Sequence, residues 1–374
     1  MKKILFVFGT RPEAIKMAPV IKKVQNSSEH FQLGVCVTAQ HREMLDQVLK
    51  LFDIKPDFDL DIMKPGQDLF DVTCNVLQGL KETLEQFRPN IVLVHGDTTT
   101  TMAAALAAYY CKIPVGHIEA GLRTYNKFAP FPEEVNRTLA KTLCDIHFAP
   151  TETARNNLIR EGVSEQSVFI TGNTVIDALL SVIEILQTNV HIKNEIESMF
   201  SFLDCNKKLI LVTGHRRENF GSGFENICQA INDLATVHDD VEIIYPVHLN
   251  PFVQEPVKRI LSQNPSIHLI QPLDYLPFVY LMNRSYLVIT DSGGVQEEAP
   301  SLGKPVLVMR SSTERPEAVA AGTVKLVGTN RETIVFEASK LLNDFDEYRR
   351  MSLTHNPYGD GKASERILTA LRNL

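Results

Sequence analysis

At 374 residues the chain exceeds what one hydrophobic core usually sustains, so two domains are expected. Hydrophobic residues make up 44% and charged residues 22%, which excludes a disordered chain and fits an ordinary globular one. The net charge of −7 argues against nonspecific nucleic-acid binding, and no apolar run is long enough for a membrane span.

The opening Met1-Lys-Lys-Ile-Leu-Phe-Val-Phe-Gly9 has too short an apolar run for a signal peptide and reads as a buried strand over residues 4–8. A helix from about 14 to 24 follows, then a strand at 33–37 and a helix from about 43. Residues 69–87 form a longer helix leading into a strand at 91–94, an Ala-rich helix at 98–110 and a strand at 115–118. A helix at 133–143, a strand at 146–148, a helix at 151–161 and a strand at 168–170 complete the first series. Past the turn Thr171-Gly172-Asn173, helices are expected at 175–186 and roughly 192–200. A second series of strands begins at 208–212 and continues at 241–245, 267–269, 287–290, 306–309 and 323–327. A helix from about 362 to 372 comes last. Short β-branched strands between helices imply an α/β protein whose parallel sheets are covered on both faces.

The expected division is an N-terminal Rossmann-like domain over 1–170, a C-terminal Rossmann-like domain over 171–360, and a terminal helix, 361–374, that returns to the first domain. The hinge is placed near 170–175. Two doubly wound domains facing across a cleft suit a ligand with two distinct parts, such as a nucleotide and a sugar. The six cysteines, at 36, 74, 111, 144, 205 and 228, form no CxxC pair and no zinc spacing, so reduced structural thiols and a cytoplasmic location are expected.

Three carboxylates stand out. Asp97 ends Ile91-Val-Leu-Val-His-Gly-Asp97, Glu119 ends Pro114-Val-Gly-His-Ile-Glu119, and Glu133 opens the helix that follows Pro132. In an α/β sheet the carboxyl ends of the strands face the ligand crevice, and several acids held there point to proton transfer. Each also has a bland reading. Asp97 fits an N-cap of the Ala-rich helix, Glu119 a surface partner for Arg123, and Glu133 a dipole-friendly helix start.

Phosphate-binding signals sit in the turns. Gly9-Thr10-Arg11 opens the first helix, where a helix N-terminus and a forked cation suit an anion. Its single glycine does not make the dinucleotide fingerprint, so a nicotinamide cofactor is not expected. Gly214-His215-Arg216-Arg217 crowds three cationic side chains after a strand, an unfavourable grouping without an anion. In Asp291-Ser292-Gly293-Gly294-Val-Gln-Glu297-Glu298, Ser292 is placed as an N-cap and two glycines admit a phosphate to the backbone. Glu298, further along that helix, suits the two hydroxyls of a ribose.

Seven segments then occur in order: Gly9-Thr-Arg-Pro-Glu-Ala-Ile-Lys-Met-Ala-Pro19, Thr38-Ala-Gln-His-Arg-Glu-Met44, His95-Gly-Asp97, Glu119-Ala-Gly-Leu-Arg-Thr124, Pro132-Glu-Glu-Val-Asn-Arg137, Gly214-His-Arg-Arg-Glu-Asn219 and Asp291-Ser-Gly-Gly-Val-Gln-Glu-Glu-Ala-Pro300. With these the chain closely resembles the non-hydrolysing bacterial UDP-N-acetylglucosamine 2-epimerases. The resemblance implies a GT-B architecture, a homodimer, and interconversion of UDP-GlcNAc and UDP-ManNAc for surface polysaccharide, with no cofactor and no metal. It implies Asp97, Glu119 and Glu133 as acid and base residues, with His215 beside the leaving UDP. Arg11, Phe278, Ser292, Gly293, Gly294 and Glu298 match UDP-binding positions, and Lys16 and Arg137 match cleft residues. A second UDP-GlcNAc as allosteric effector is implied at the loop holding Gln40, His41, Arg42 and Gln47. In the separate segment Lys64-Pro-Gly66-Gln67, Gly66 stands where the regulated members carry an arginine.

Hydrogen at carbon 2 of a sugar is not acidic, so the implied route first expels UDP, forms 2-acetamidoglucal, then returns a proton to the other face and re-adds UDP. The rival enzyme is a GT-B glycosyltransferase, which shares the nucleotide site but needs an acceptor platform. A hydrolysing epimerase and a non-enzymatic nucleotide-sugar sensor are the remaining alternatives.

Overall fold

Strand β1 (Lys2–Phe8) is apolar from Ile4 to Phe8, and all five of those residues are buried, because helices cover both faces of its sheet. The computed structural model describes residues 1–39, 42–64 and 66–373. Within them β1 is joined by β2 (Phe31–Val37), β3 (Phe58–Asp59), β4 (Ile91–His95), β5 (Val115–Ile118), β6 (Ile146–Ala149) and β7 (Val168–Ile170). Their order is β3-β2-β1-β4-β5-β6-β7, with parallel pairing throughout. A second parallel sheet holds β8 (Lys208–Thr213), β9 (Val241–Pro246), β10 (Ile267–Ile270), β11 (Leu287–Thr290), β12 (Val306–Val308) and β13 (Val324–Leu326), in the order β10-β9-β8-β11-β12-β13. Each order reverses once, between β1 and β4 and between β8 and β11. Loops leave such a switch point in opposite directions and open a crevice at the carboxyl ends of the strands.

Helices cover the sheets by burying one stripe. Leu69–Phe87 is started by an Asp68/Asp71 capping box and lays Val72, Val76, Leu80 and Leu84 into the first core at four-residue spacing. Each such side chain contributes about 2 kcal/mol of hydrophobic stabilisation. A separate core under the second sheet is built on Ile210, Val212, Phe224, Ile231, Ile243 and Tyr245.

The chain divides into two units, Met1–Ser181 with Tyr358–Leu374, and Val182–Pro357. Each is a Rossmann-like doubly wound unit, the building block of the GT-B class. The division falls inside the helix Thr174–Thr188, later than the turn at 171–173. The reason lies in what residues 173–179 touch. Asn173 N–H donates to Tyr358 O at 2.7 Å, and Val175, Ile176, Ala178 and Leu179 are buried. The buried Asp177 carboxylate accepts from Ala363 N–H at 3.1 Å, Ser364 N–H at 2.8 Å and the Ser364 hydroxyl at 2.5 Å. It thereby caps the terminal helix Ala363–Asn373, which packs on the first helix, Arg11–Gln25.

Candidate active site

At the β1/β4 switch the chain turns at Gly9. A Cβ there would lie 2.0 Å from Thr38 Oγ1 and 2.9 Å from Thr100 Oγ1, so only glycine fits. Thr10 caps the first helix in a capping box with Glu13, which places Arg11 in the first turn. Glu13 does more than cap. Its Oε2 accepts from Gly9 N–H at 3.0 Å, and from Thr10 N–H and the Thr10 hydroxyl at 2.8 Å each. Its Oε1 accepts from the hydroxyls of Thr98 at 2.6 Å and Thr101 at 3.1 Å. One buried carboxylate thus ties the loop after β1 to the loop after β4, and burial pushes its pKa up.

The helix after β4 is capped by Thr98, not by Asp97. Asp97 instead takes a fork from Arg137, whose Nε and Nη2 donate to Oδ2 at 3.0 and 2.6 Å. The Asn136 amide donates to Asp97 O at 2.9 Å. Arg137 Nη1 donates to Glu134 at 3.0 Å, and Glu134 in turn accepts Thr124 N–H at 3.0 Å and Tyr125 N–H at 2.9 Å. The helix Glu133–Leu143 therefore holds the Asp97 turn and the segment after Glu119 together. Glu133 opens that helix, and its Oε2 is buried without a hydrogen-bond partner among the described residues.

Glu119 follows β5 with φ of +63°, a left-handed conformation that costs a non-glycine residue about 1 kcal/mol or more. Its carboxylate pairs with Lys16 and accepts from the Asn173 amide at 2.8 Å. Arg123 turns away to Glu161, with bonds of 2.7 and 2.9 Å, so no surface pair with Glu119 forms. His95 lies behind the cluster, 3% exposed, with Nε2 4.0 Å from Glu119 Oε2. Burial drives its pKa down to about 4; Glu119 opposes that shift and Lys16 adds to it. His117 on β5 bonds Gly96 O through Nε2 at 2.7 Å and is likewise held at about 4 by burial. A Cβ on Gly96 would come within 3.7 Å of Glu119 Oε1, so the turn that carries Asp97 lies against the Glu119 carboxylate.

The second unit repeats the geometry with different chemistry. His215 and Arg216 follow β8, and Asp291 and Ser292 follow β11 at the β8/β11 switch. Asp291, fully buried, accepts at Oδ2 from His215 N–H at 2.9 Å, Arg216 N–H at 2.8 Å and the Asn219 amide at 3.3 Å. Ser292 occupies the N-cap of Gly293–Glu298, but its side chain makes no capping bond, leaving the first N–H groups of that turn uncapped by it. A Cβ on Gly293 would meet the guanidinium groups of Arg315 at 3.7 Å and Arg216 at 3.8 Å. Two guanidinium groups thus border this glycine backbone, an arrangement suited to a diphosphate. Glu298 is held by the Tyr275 hydroxyl at 2.6 Å, and Phe278 lies half-buried on the same helix, Tyr275–Arg284.

The first unit thus gathers Asp97, Glu119, Lys16 and Arg137, with Arg11 at the same switch, and the second gathers His215, Ser292, Gly293, Gly294 and Glu298. Sequence reasoning missed Glu13, His95, Glu134, Asn173, Tyr275 and Arg315. Only Glu13 carried a local signal, the capping-box spacing from Thr10. Of the expected effector loop, Gln40 and His41 lie outside the described residues. Arg42 is engaged by Asp59 at 2.5 Å and Asp61 at 3.2 Å, and Gln47 is exposed. No group of three His, Cys, Asp or Glu residues suited to a metal ion occurs among the described residues.

The family described as UDP-N-acetylglucosamine 2-epimerase matches residues 22–372. The chain is 61% identical over 372 residues to a probable UDP-N-acetylglucosamine 2-epimerase of Ralstonia solanacearum, covering 100% of this chain and 99% of that one. It is 61% identical over 371 residues to the UDP-N-acetylglucosamine 2-epimerase of Escherichia coli strain K12, covering 99% and 98%. The crystal structure of UDP-GlcNAc 2-epimerase from Neisseria meningitidis bound to UDP-GlcNAc matches with a TM-score of 0.92 at 55% identity, covering 100% of both chains.

Proposed function

The chain belongs to the UDP-N-acetylglucosamine 2-epimerase family, and from that premise we infer that it is an isomerase interconverting UDP-GlcNAc and UDP-ManNAc without releasing free sugar. The observation that carries the mechanism is the pair of carboxylates at adjoining strand ends, each already paired with a cation: Asp97 with Arg137, and Glu119 with Lys16.

The reaction starts with stretching of the anomeric C–O bond. UDP leaves with the bonding electrons, and the ring becomes electron-poor enough for carbon 2 to give up its proton, forming 2-acetamidoglucal. Arg11, His215 and the Ser292-Gly293-Gly294 turn stabilise the departing diphosphate. A preorganised donor aimed at developing charge is worth roughly 3 kcal/mol. Glu298 takes the ribose and Phe278 packs near the base. Asp97, with Glu119 or Glu133, removes the proton and supplies one to the opposite face, after which UDP adds back and electron count is restored. The Lys16 and Arg137 cations keep the acids close together without mutual repulsion.

Turnover of UDP-GlcNAc in D2O, followed by proton NMR, tests this reading. It expects UDP-ManNAc to appear with no acceptor present, and deuterium to enter carbon 2 of both sugars. Asp97→Asn is expected to keep UDP affinity and lose at least 100-fold in turnover. Turnover without deuterium uptake would end the proton-transfer scheme, and an absolute need for an acceptor would favour the glycosyltransferase. The reading extends to a cytoplasmic homodimer feeding surface polysaccharide, with a second UDP-GlcNAc as effector near Arg42.

A further inference from the structure

His215 is fixed on two sides within its own unit. Its ring stacks on His248, with centroids 5.4 Å apart and planes 14° from parallel. His248 is itself locked, since its Nδ1 accepts Asn250 N–H at 3.1 Å. On its edge, His215 Nδ1 lies 3.4 Å from Asp291 Oδ1. That oxygen has no hydrogen-bond partner among the described residues, although Asp291 is fully buried and its other oxygen takes three donors. A buried carboxylate oxygen without a donor is costly, and the nearby imidazole nitrogen is the group placed to relieve it. Ligand-free catalytic sites often hold such bonds long and tighten them when occupied.

We propose that Asp291 is a positioning residue for His215: its carboxylate keeps the proton on Nδ1, so that Nε2 is the nitrogen presented to the diphosphate of the substrate. This rests on the role given to His215 above. With an anion bound, Nε2 takes a proton from solvent and donates it in a hydrogen bond, and Asp291 balances the imidazolium. Burial disfavours the imidazolium and holds the His215 pKa down; of the charged and titratable groups facing the ring, Asp291 favours the cation, and Arg216 and His248 oppose it. Because Asp291 also precedes Ser292 and bonds the His215 and Arg216 N–H groups, one side chain sets the spacing of both loops of the diphosphate cradle.

The test is nitrogen-15 NMR of the histidine side chains in the full chain, with and without UDP, beside turnover and UDP affinity. Asp291→Asn is the informative variant. Its carbonyl retains the three donors, while its amide turns a donor toward Nδ1. His215→Asn assigns the resonance among the 11 histidines. Wild-type His215 without ligand is expected to carry hydrogen on Nδ1, and UDP to protonate Nε2 as well. Asp291→Asn is expected to reverse the neutral tautomer and lower kcat about 100-fold, with UDP affinity nearly unchanged. A wild-type ring protonated only at Nε2 overturns the proposal, whether or not the variant folds, and so does an unaltered tautomer or unaltered kcat in Asp291→Asn. Full turnover in His215→Asn refutes instead the role of His215 itself, which separates the two readings.

Discussion

Replacing Arg137 by methionine removes one guanidinium and leaves two carboxylates facing its space. Three charge-assisted bonds vanish, two to Asp97 at 3.0 and 2.6 Å and one to Glu134 at 3.0 Å. Breaking a buried ion pair typically costs about 3–5 kcal/mol. The losses here are softened. The Asp97 side chain is 25% exposed and rehydrates in part, while Glu134, at 6%, keeps the N–H groups of Thr124 and Tyr125. A loss of about 2–3 kcal/mol is therefore expected, confined to the unfolding of the first unit. Because the chain has no tryptophan and two units, the assay is urea unfolding followed by far-UV circular dichroism, with both transitions fitted. Turnover is expected to fall about 100-fold, the scale of a misplaced catalytic group. Arg137→Lys keeps the charge but not the fork, so it recovers more stability than activity. A methionine variant within about 0.5 kcal/mol of wild type, with normal turnover, would show the pair to be solvated surface chemistry.

Gly9→Ala drives a Cβ to 2.0 Å from Thr38 Oγ1, and is expected to cost the first unit about 2 kcal/mol. Thr38→Ala in the same background removes the nearest oxygen and should return part of it; melting unchanged from wild type in Gly9→Ala would remove the steric account. His95, His117 and His147 are all held at about 4 by burial, against 6.5 in the unfolded chain. Their neutral forms cost nothing above pH 6.5. As pH falls from there toward 4, unfolding takes up protons the native unit refuses, so stability drops by up to about 1.4 kcal/mol per pH unit for each histidine. Lys16→Met removes a cation that lowers the His95 pKa, so that pKa should rise from about 4 and the acid loss should shrink. Urea unfolding between pH 7 and 4.5 checks both, and a flat profile in the wild type would contradict them.

Much of this architecture was legible because buried parallel strands announce themselves. β1 and β4 are largely apolar and β5 is fully buried, and a polar residue one to three positions past such a run, as Asp97 and Glu119 are, must lie at a strand's carboxyl end. Partners were less legible. Arg123 sits four residues from Glu119 yet bonds Glu161, 38 residues away, and Arg137 reaches Asp97 across 40. Side-chain pairing across a sheet end depends on which helix is docked there, which local pattern does not encode. The two-residue β3 is too short to show a period. The helix Thr174–Thr188 reads the same whichever unit its first half joins, and only the long-range bonds of Asn173 and Asp177 decide it. Ser292 was expected to cap with its side chain; the position holds, but its side chain makes no capping bond.

The discontinuity of the first unit bears on the order in which the molecule is finished. Lys2 bonds Leu371 O at 3.1 Å, Arg372 bonds Ser27 at 3.1 Å, and the Asp177 carboxylate waits for the N–H groups of Ala363 and Ser364. During synthesis all of Val182–Pro357 leaves the ribosome before those groups do. Lys2, Ser27 and the first helix between them, all made early, are therefore among the last parts of the unit to be covered. Until residues 363–373 emerge, the side of the first helix on which they pack stays uncovered, and the Asp177 carboxylate is without the N–H groups it caps.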